Sequence, residues 1–462
     1  MQRFESHIDQ PGHFARVVAR LGTVLLLCGL AGCGKGVAPV TQTAPTTTGP
    51  QTYFAPYVSG GSTSGPLTYT IDDVAGTFSQ TTYQPLTQPG PQVLNAGVLA
   101  IGQRGLRSLS IKANYTYSFD TSLYEVTDYN PPETGSFAVE LAGQGGGLVQ
   151  MLEPIAGQLV KQPVQPLVAA TQCPSSSSQT YQFVTIPTAQ WDPTTDTAYG
   201  SVEISSSGSD VTFKNISQST LTGGEPTQRS ASSVTGACGP TFFGNITNVP
   251  GQLVVTDPGI GTVLPAQAQI GIGPSGLLVE NNGAGEVMAG TSPPLDYENV
   301  LGAGTGAVGL PKPTSALNTG AVAGAQYLGF IYEAGNNDQG VTWSSNLASF
   351  GGSPQGVCPL VTGNNPSSTI YGGDFPATDP TGFKNGGFGN CDFVIDLGPQ
   401  GDNGLYPQAQ VWLGTSYPGY SPSIKYPFSA VAVAGQLGNQ YAIFLIGTDS
   451  IQPWAIYLLQ SN

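Results

Sequence analysis

The chain is poor in histidine, in charge and in long apolar runs, and each shortage excludes a class of function. Only two histidines occur, His7 and His13, both within the first 32 residues. A chain shortened by those residues has no imidazole. Ser-His-Asp and Cys-His catalysis then lack their base, and zinc, copper or haem sites lack their commonest ligand. An enzyme built on the remainder must run on carboxylates, tyrosine, lysine or an oxygen-ligated calcium site. Charged residues make up 9% of the sequence, against about 25% in ordinary soluble domains, so Ser, Thr, Asn, Gln and Gly supply most of the polar surface. Such a surface suits an extracytoplasmic location. Acidic or low-salt surroundings are one reading of it, and compositional drift is the other. Without residues 1–32, 10 basic and 26 acidic residues remain, a formal charge of −16. Nucleic acid and anionic lipid both require a positive face, so neither is expected as a partner.

What is present begins at the N-terminus. Arg16 and Arg20 precede the run Leu21-Gly-Thr-Val-Leu-Leu-Leu-Cys-Gly-Leu30. That run is about half the roughly 20 residues a membrane-spanning helix needs, and suits the core of an export signal. It ends in Leu30-Ala31-Gly32-Cys33, which resembles the lipobox of bacterial lipoprotein precursors. The resemblance covers residues 16–34 and implies lipidation of Cys33 and removal of residues 1–32. The 20 residues before the run, with Glu5 and Asp9 among them, are long and mixed in charge for such a signal. Gly34 in place of Asp implies the outer membrane, if the host is Gram-negative. Residues 34–52, rich in Thr, Pro and Gly, cannot build a core and read as a tether. The lipidated tether is placed at 33–66.

Of six cysteines, Cys28 leaves with the signal and Cys33 takes the lipid. Cys173, Cys238, Cys358 and Cys391 contain no C-x-x-C pair, so structural disulfides are expected over metal or redox work. Three pairings are open. The sequential one, Cys173–Cys238 and Cys358–Cys391, keeps each bridge within one half of the chain, and each bridge contributes about 3–4 kcal/mol in the chain-entropy model.

Beyond the tether, short alternating or apolar runs are broken by Gly, Pro, Asn and Ser, as in residues 136–152, 201–216, 268–281 and 429–447. Each is two strand-like runs around a compact turn. No helix of ten or more residues is expected, though short helical turns near Thr314–Leu317 or Ser345–Phe350 fit the pattern. The fold class is mostly β, as sandwich or barrel hairpins in two β domains at 67–289 and 321–462, joined by a Gly/Pro-rich connection at 290–320. Ala138–Gln144 and Ala430–Gln436 share the form AVxxAGQ, one in each proposed domain. A single β-propeller is the alternative, without a regular repeat to support it. Gly271–Gly276 and Gly304–Gly309 match G-x-G-x-x-G, but Pro274 and Pro311 deny either one the helix a dinucleotide site needs. Both read as turns.

The richest surface lies in the last third. Asn336, Asn337, Asp338 and Gly340 precede Trp343, and Asp392, Asp396, Asp402 and Asn403 are interleaved with Tyr406 and Trp412. Rings beside amides suit a sugar site, for which Trp343, Tyr406 and Trp412 are the candidates. Asp338 and Asp402 are weak calcium candidates, since no complete EF-type loop surrounds them. Apart from calcium no cofactor is expected. Asp392 and Asp396 lie about 13 Å apart on an extended strand, too far for a glycosidase pair. The plainer account is that Asp and Asn cap turns while Trp and Tyr fill cores. Three functions fit: a lipid-anchored cell-envelope protein with a non-catalytic structural or interaction role, a carbohydrate- or small-ligand-binding surface lipoprotein, and a carboxylate-based polysaccharide hydrolase. The first is favoured, with the membrane reached through the lipid and a glycan or another envelope protein as partner. A cleft lined by two or more of Trp191, Trp343, Trp412 and Trp454 would favour binding.

Overall fold

A computed structural model describes residues 49–55, 67–83, 91–102, 105–117, 124–141, 145–155, 158–161, 164–169, 177–185, 198–207, 210–222, 225–238, 241–243, 246–249, 253–256, 267–282, 307–337, 340–351, 367–374, 391, 393–413, 427–448 and 454–461. All belong to one folded unit, Gln42–Asn462. Its strands close into three antiparallel barrels of eight.

The first barrel runs β1 (Gln51–Ala55), β2 (Leu67–Asp72), β3 (Thr77–Tyr83), β4 (Pro91–Ile101), β5 (Leu106–Tyr117), β6 (Tyr124–Leu141) and β7 (Gly146–Gln150). A side hairpin, β8 (Leu152–Ile155) and β9 (Gln158–Lys161), precedes its last strand, β10 (Gln165–Ala169). The second runs β11 (Gln179–Thr185), β12 (Ala198–Ser207), β13 (Asp210–Thr222) and β14 (Glu225–Cys238). After a side hairpin of β15 (Thr241–Phe243) and β16 (Ile246–Val249), it continues with β17 (Leu253–Thr256), β18 (Gln267–Ile272), β19 (Leu278–Asn282) and β20 (Ala307–Pro311). A one-turn helix, α1 (Thr319–Gly324), leads into the third. There follow β21 (Tyr327–Asn337), β22 (Gly340–Phe350), β23 (Thr369–Asp374), β24 (Phe393–Asp396), β25 (Leu405–Leu413), β26 (Phe428–Leu437), β27 (Gln440–Gly447) and β28 (Trp454–Gln460).

In each barrel the last strand pairs antiparallel with the first. Eight is even, so the chain enters and leaves every barrel at one mouth, here called the entry mouth.

Side chains fill the interiors, as eight strands allow. Tyr53, Leu109 and Val149 lie in the first core, Phe183, Ile204 and Phe213 in the second, and Ile331, Ile395 and Leu445 in the third. A fourth cluster runs across all three barrels: Val139, Leu148 and Val168 of the first, Val308 and Leu310 of the second, and Val433, Phe444 and Tyr457 of the third. This seam explains why the two runs within 429–447 are apolar without alternation. On β26, Ala430, Ala432 and Ala434 face the third core while Val431 and Val433 face the seam. A strand buried on both faces loses its polar alternation.

The mostly-β class and the hairpin plan are as the sequence indicates, and the form is the barrel rather than the propeller, because each set of eight closes on itself. The stretch 67–289 carries most of two barrels. β1 lies inside 33–66 and β20 inside 290–320. The linker between the second and third barrels, residues 312–326, is short and contains α1. That helix starts just beyond Thr314–Leu317, with Asn318 Oδ1 accepting from the Ala321 amide at 3.2 Å, a side-chain N-cap. Ser345–Phe350 is strand. Gly271–Gly276 closes the β18–β19 hairpin, with Gly273 N donating to Leu277 O at 2.9 Å.

Candidate functional site

The barrels hold the ring and acid residues of the last third in place for different reasons. Tyr406 is fully buried in the third core. Gln400 Nε2 donates to its hydroxyl at 2.8 Å, and Thr319 Oγ1 lies 3.3 Å away. With Val322 and Ala323 in the same core, and Tyr327 donating to Val322 O at 2.6 Å, α1 and Tyr406 plug the entry mouth of that barrel. A surface ring was expected at Tyr406; a plug is found, because the strand places it inward. Trp412 is half-buried on β25. Trp343 lies on β22, where it pairs with Ala334, and Trp454 on β28, where it pairs with Glu333. Asp338 and Trp191 lie outside the described residues, as do Cys33, Cys173 and Cys358. Cys391 is disulfide-bonded.

Asp402 fastens a linker. Its Oδ2 takes Lys312 Nζ at 2.6 Å, and Asn403 Nδ2 donates to Pro313 O at 3.2 Å. The hydrogen bond from Lys312 holds the Asp402 carboxyl below its usual range. Asp396 caps a turn, accepting at Oδ1 from Ser368 Oγ (2.7 Å) and Gly398 N (2.9 Å). Asp392 lies outside the described residues. Among the described residues no three His, Cys, Asp or Glu side chains come together to hold a metal.

Composition gives no hint of the most concentrated buried chemistry, which lies in the first barrel. Arg107, the second residue of β5, points inward because Leu109 and Ile111 do. Its Nε and Nη2 fork onto Asp73 (Nε–Oδ1 3.1 Å, Nη2–Oδ2 2.6 Å), and Nη2 also meets Glu140 Oε2 at 2.7 Å. The three side chains are 2%, 0% and 4% exposed, so no water screens them. Burial opposes the Arg107 charge, but its hydrogen bond to Asp73 and the nearby carboxylates more than offset this and raise its pKa. Burial pushes the Glu140 carboxyl up, with Arg107 pulling it partly back. Burial, then the Glu140 charge, pushes the Tyr53 hydroxyl far above its ordinary value.

Beside this cluster runs a row of polar side chains. Asn114 donates to Asn95 (2.9 Å), Asn95 to Gln80 (2.6 Å), Gln80 to the Tyr69 hydroxyl (2.8 Å), and Tyr69 to Gln165 (2.8 Å). Tyr53, Tyr69, Gln80, Asn95 and Asn114 are direct cross-strand partners from β1 to β5. Every link donates in the same direction, the arrangement in which hydrogen bonds reinforce one another. The polar row pairs its buried groups, the ion cluster leaves Arg107 Nη1 and Glu140 Oε1 unpaired, and neither aligns a nucleophile with a base. Two carboxylates locked on one arginine and shut from solvent are no glycosidase pair.

One sequence signal for this layout exists. Gln51-Thr52-Tyr53, Gln179-Thr180-Tyr181 and Gln326-Tyr327 each open a barrel. Tyr53, Tyr181 and Tyr327 pair with Ala169, Pro311 and Gln460, the final residue of the last strand in each case. All three are buried, and burial pushes the Tyr181 hydroxyl up to about 12.

No protein-family model matches this chain, and no curated protein matches it. Among solved structures it is similar to a double mutant of transferrin binding protein B from Haemophilus parasuis, with 8% identity over 89% of this chain and 76% of that one. It is also similar to intact Ap-TbpB with its N and C lobes (9%, 90% and 77%) and to isotype 1 transferrin binding protein B from Neisseria meningitidis (10%, 86% and 65%). The TM-score is 0.21 in each case, too low for any of these likenesses to carry an argument about this chain.

Proposed function

We propose that this chain is a lipid-anchored, extracytoplasmic protein of the bacterial cell envelope with a structural or interaction role and no chemistry of its own. The address rests on Leu30–Cys33 and the Thr/Pro/Gly-rich tether behind it. The role rests on one observation, that three filled barrels are joined by a shared apolar seam. Eight-stranded barrels that host a small ligand keep their interior open for it, whereas here core side chains occupy each one. A rigid body on a tether is suited to presenting its outer surface to another envelope component. Among the described residues no helix is long and apolar enough to cross a membrane.

The test is metabolic labelling with an alkyne-bearing palmitate in a bacterial host. The full chain incorporates label and sediments with membranes. Cys33→Ser loses the label and is released folded, because a surface this acidic gains nothing from anionic lipid. Label on the Cys33→Ser chain, or its retention on membranes, overturns the reading.

A ligand-binding role is the second reading, favoured by the strand positions of three tryptophans. Trp343, Trp412 and Trp454 all occupy the halves of β22, β25 and β28 that run to the mouth opposite the linker. A glycan array probed with the soluble Cys33→Ser chain, with and without calcium, tests it. Binding lost on Trp412→Ala supports a sugar-stacking rim, and no binding on any arm removes the reading.

A further inference from the structure

We propose that the entry mouth of the first barrel is a proton-controlled latch, built from Tyr53, Asp73, Arg107 and Glu140, that tightens when Glu140 takes up a proton and loosens when it ionises. The charge count is the starting point. Two carboxylates meet one guanidinium with almost no exposure to water. With both ionised, one negative charge is left over in a low-dielectric interior, where an unpaired charge is costly.

Geometry decides which acid yields. Asp73 holds Arg107 through two bonds in a fork, the strongest carboxylate–arginine arrangement. Glu140 touches it at Nη2 only, and Glu140 Oε1 and Arg107 Nη1 have no hydrogen-bond partner. Glu140 is therefore the group that a proton neutralises at least loss. No other titratable side chain among the described residues enters the cluster. Tyr53 comes from β1, Asp73 from the β2–β3 turn, Arg107 from β5 and Glu140 from β6, while β7 and β10 bring Gly146, Gly147 and Ala169. Asp72 is occupied by the Val74 and Ala75 amides at 3.0 and 2.9 Å.

The sign follows from the raised Glu140 pKa. A carboxyl whose pKa is higher folded than unfolded stabilises the fold while protonated, and that stability is lost as pH rises through the folded value. The cluster ties together β1, β5, β6 and the β2–β3 turn where residues 49–51 enter the barrel. This mouth therefore closes more firmly in mildly acidic surroundings than in neutral ones. The third barrel shuts the corresponding mouth with α1 and tyrosines and, among the described residues, with no buried carboxylate, so it supplies an internal control.

The test is hydrogen exchange by mass spectrometry on the full chain from about pH 4.5 to about pH 8, spanning a raised carboxyl, corrected for intrinsic rates. Protection of peptides containing Asp73, Arg107 and Glu140 falls several-fold as pH rises, while peptides spanning Val322–Tyr327 stay level. Glu140→Gln keeps acid-level protection throughout. A flat wild-type profile, or the same fall in Glu140→Gln, overturns the latch. If Glu140→Gln does not fold, Tyr53→Phe decides: it removes a hydrogen bond that favours ionised Glu140, so the fall moves to higher pH, and an unmoved fall rejects the proposal.

Discussion

Arg107 and Tyr406 occupy the same place in two different barrels. Each is the second residue of a fifth strand, directly behind Gly105-Leu106 in one and Gly404-Leu405 in the other. The turns close alike, with Gly102 N on Leu106 O (2.8 Å) and Gly401 N on Leu405 O (2.9 Å). Leu106 pairs with Val139 and Leu405 with Val433. One barrel fills that buried position with a guanidinium between two acids, the other with a phenol hydrogen-bonded to an amide.

Removing the guanidinium alone strands its partners. Arg107→Ala leaves Asp73 and Glu140 buried without a cation and is expected to cost about 3–5 kcal/mol. Combining Arg107→Met with Asp73→Asn and Glu140→Gln recovers most of that loss. Urea unfolding of the soluble Cys33→Ser chain measures both, and a cost under about 1 kcal/mol for Arg107→Ala would show the ion cluster to be idle.

Backbone shape at the shared turn is equally specific. Gly404 has φ +80°, and a Cβ there would sit 2.4 Å from Ala434 O; at Gly105 (φ +84°) it would sit 2.5 Å from Glu140 O. Alanine at either position is expected to cost about 1–3 kcal/mol. Gly324, at the end of α1, meets nothing within 4 Å, so Gly324→Ala is neutral or stabilising by up to about 1 kcal/mol. Equal destabilisation by all three changes would contradict this.

The seam couples the barrels. Leu310, 1% exposed, faces it from the second barrel, and Leu310→Ala is expected to cost about 2–5 kcal/mol. Because the lost contacts lie between barrels, calorimetry should show the transition broadening or splitting. A sharp transition at lower temperature would mean that Leu310 serves only its own barrel.

The Lys312–Asp402 bridge is more exposed, at 28% and 54%. Asp402→Asn is expected to cost under about 1 kcal/mol, as screened ion pairs do. Its carboxyl is held below the usual range, so this contribution is present above the ordinary carboxylate range and fades as pH falls through the folded value. Thermal scans with and without calcium should respond identically in the wild-type and Asp402→Asn chains; a response lost with Asp402 would return it to the metal ligands.

Hairpins were legible because turn chemistry and alternation are local. Ser201–Ile216 reads as two strands around Ser-Gly-Ser-Asp, and it folds that way as β12 and β13. The number of barrels was not legible, because closure depends on which distant strand pairs with β1, β11 or β21. Both copies of the AVxxAGQ echo begin on a sixth strand, but they do not superpose by motif: the pairing register matches Val139 to Val433, not to Val431. Tyr406 read as a surface ring because Asp and Asn surround it in sequence. Those neighbours cap turns and tie down the linker, and strand parity turns the ring inward. The Arg107 cluster had no local signature, since Asp73 comes from the β2–β3 turn while Arg107 and Glu140 sit at opposite ends of the β5–β6 hairpin sequence.

An eight-strand meander returns to the mouth it left from, and that has an architectural consequence. Each barrel is a bead whose two string holes lie on one side. A further bead spliced into 170–178 or 312–326 would rejoin the string where it was cut, with no strand rethreaded and no existing barrel opened. This chain can therefore gain or lose a whole bead at either link without opening a neighbouring barrel.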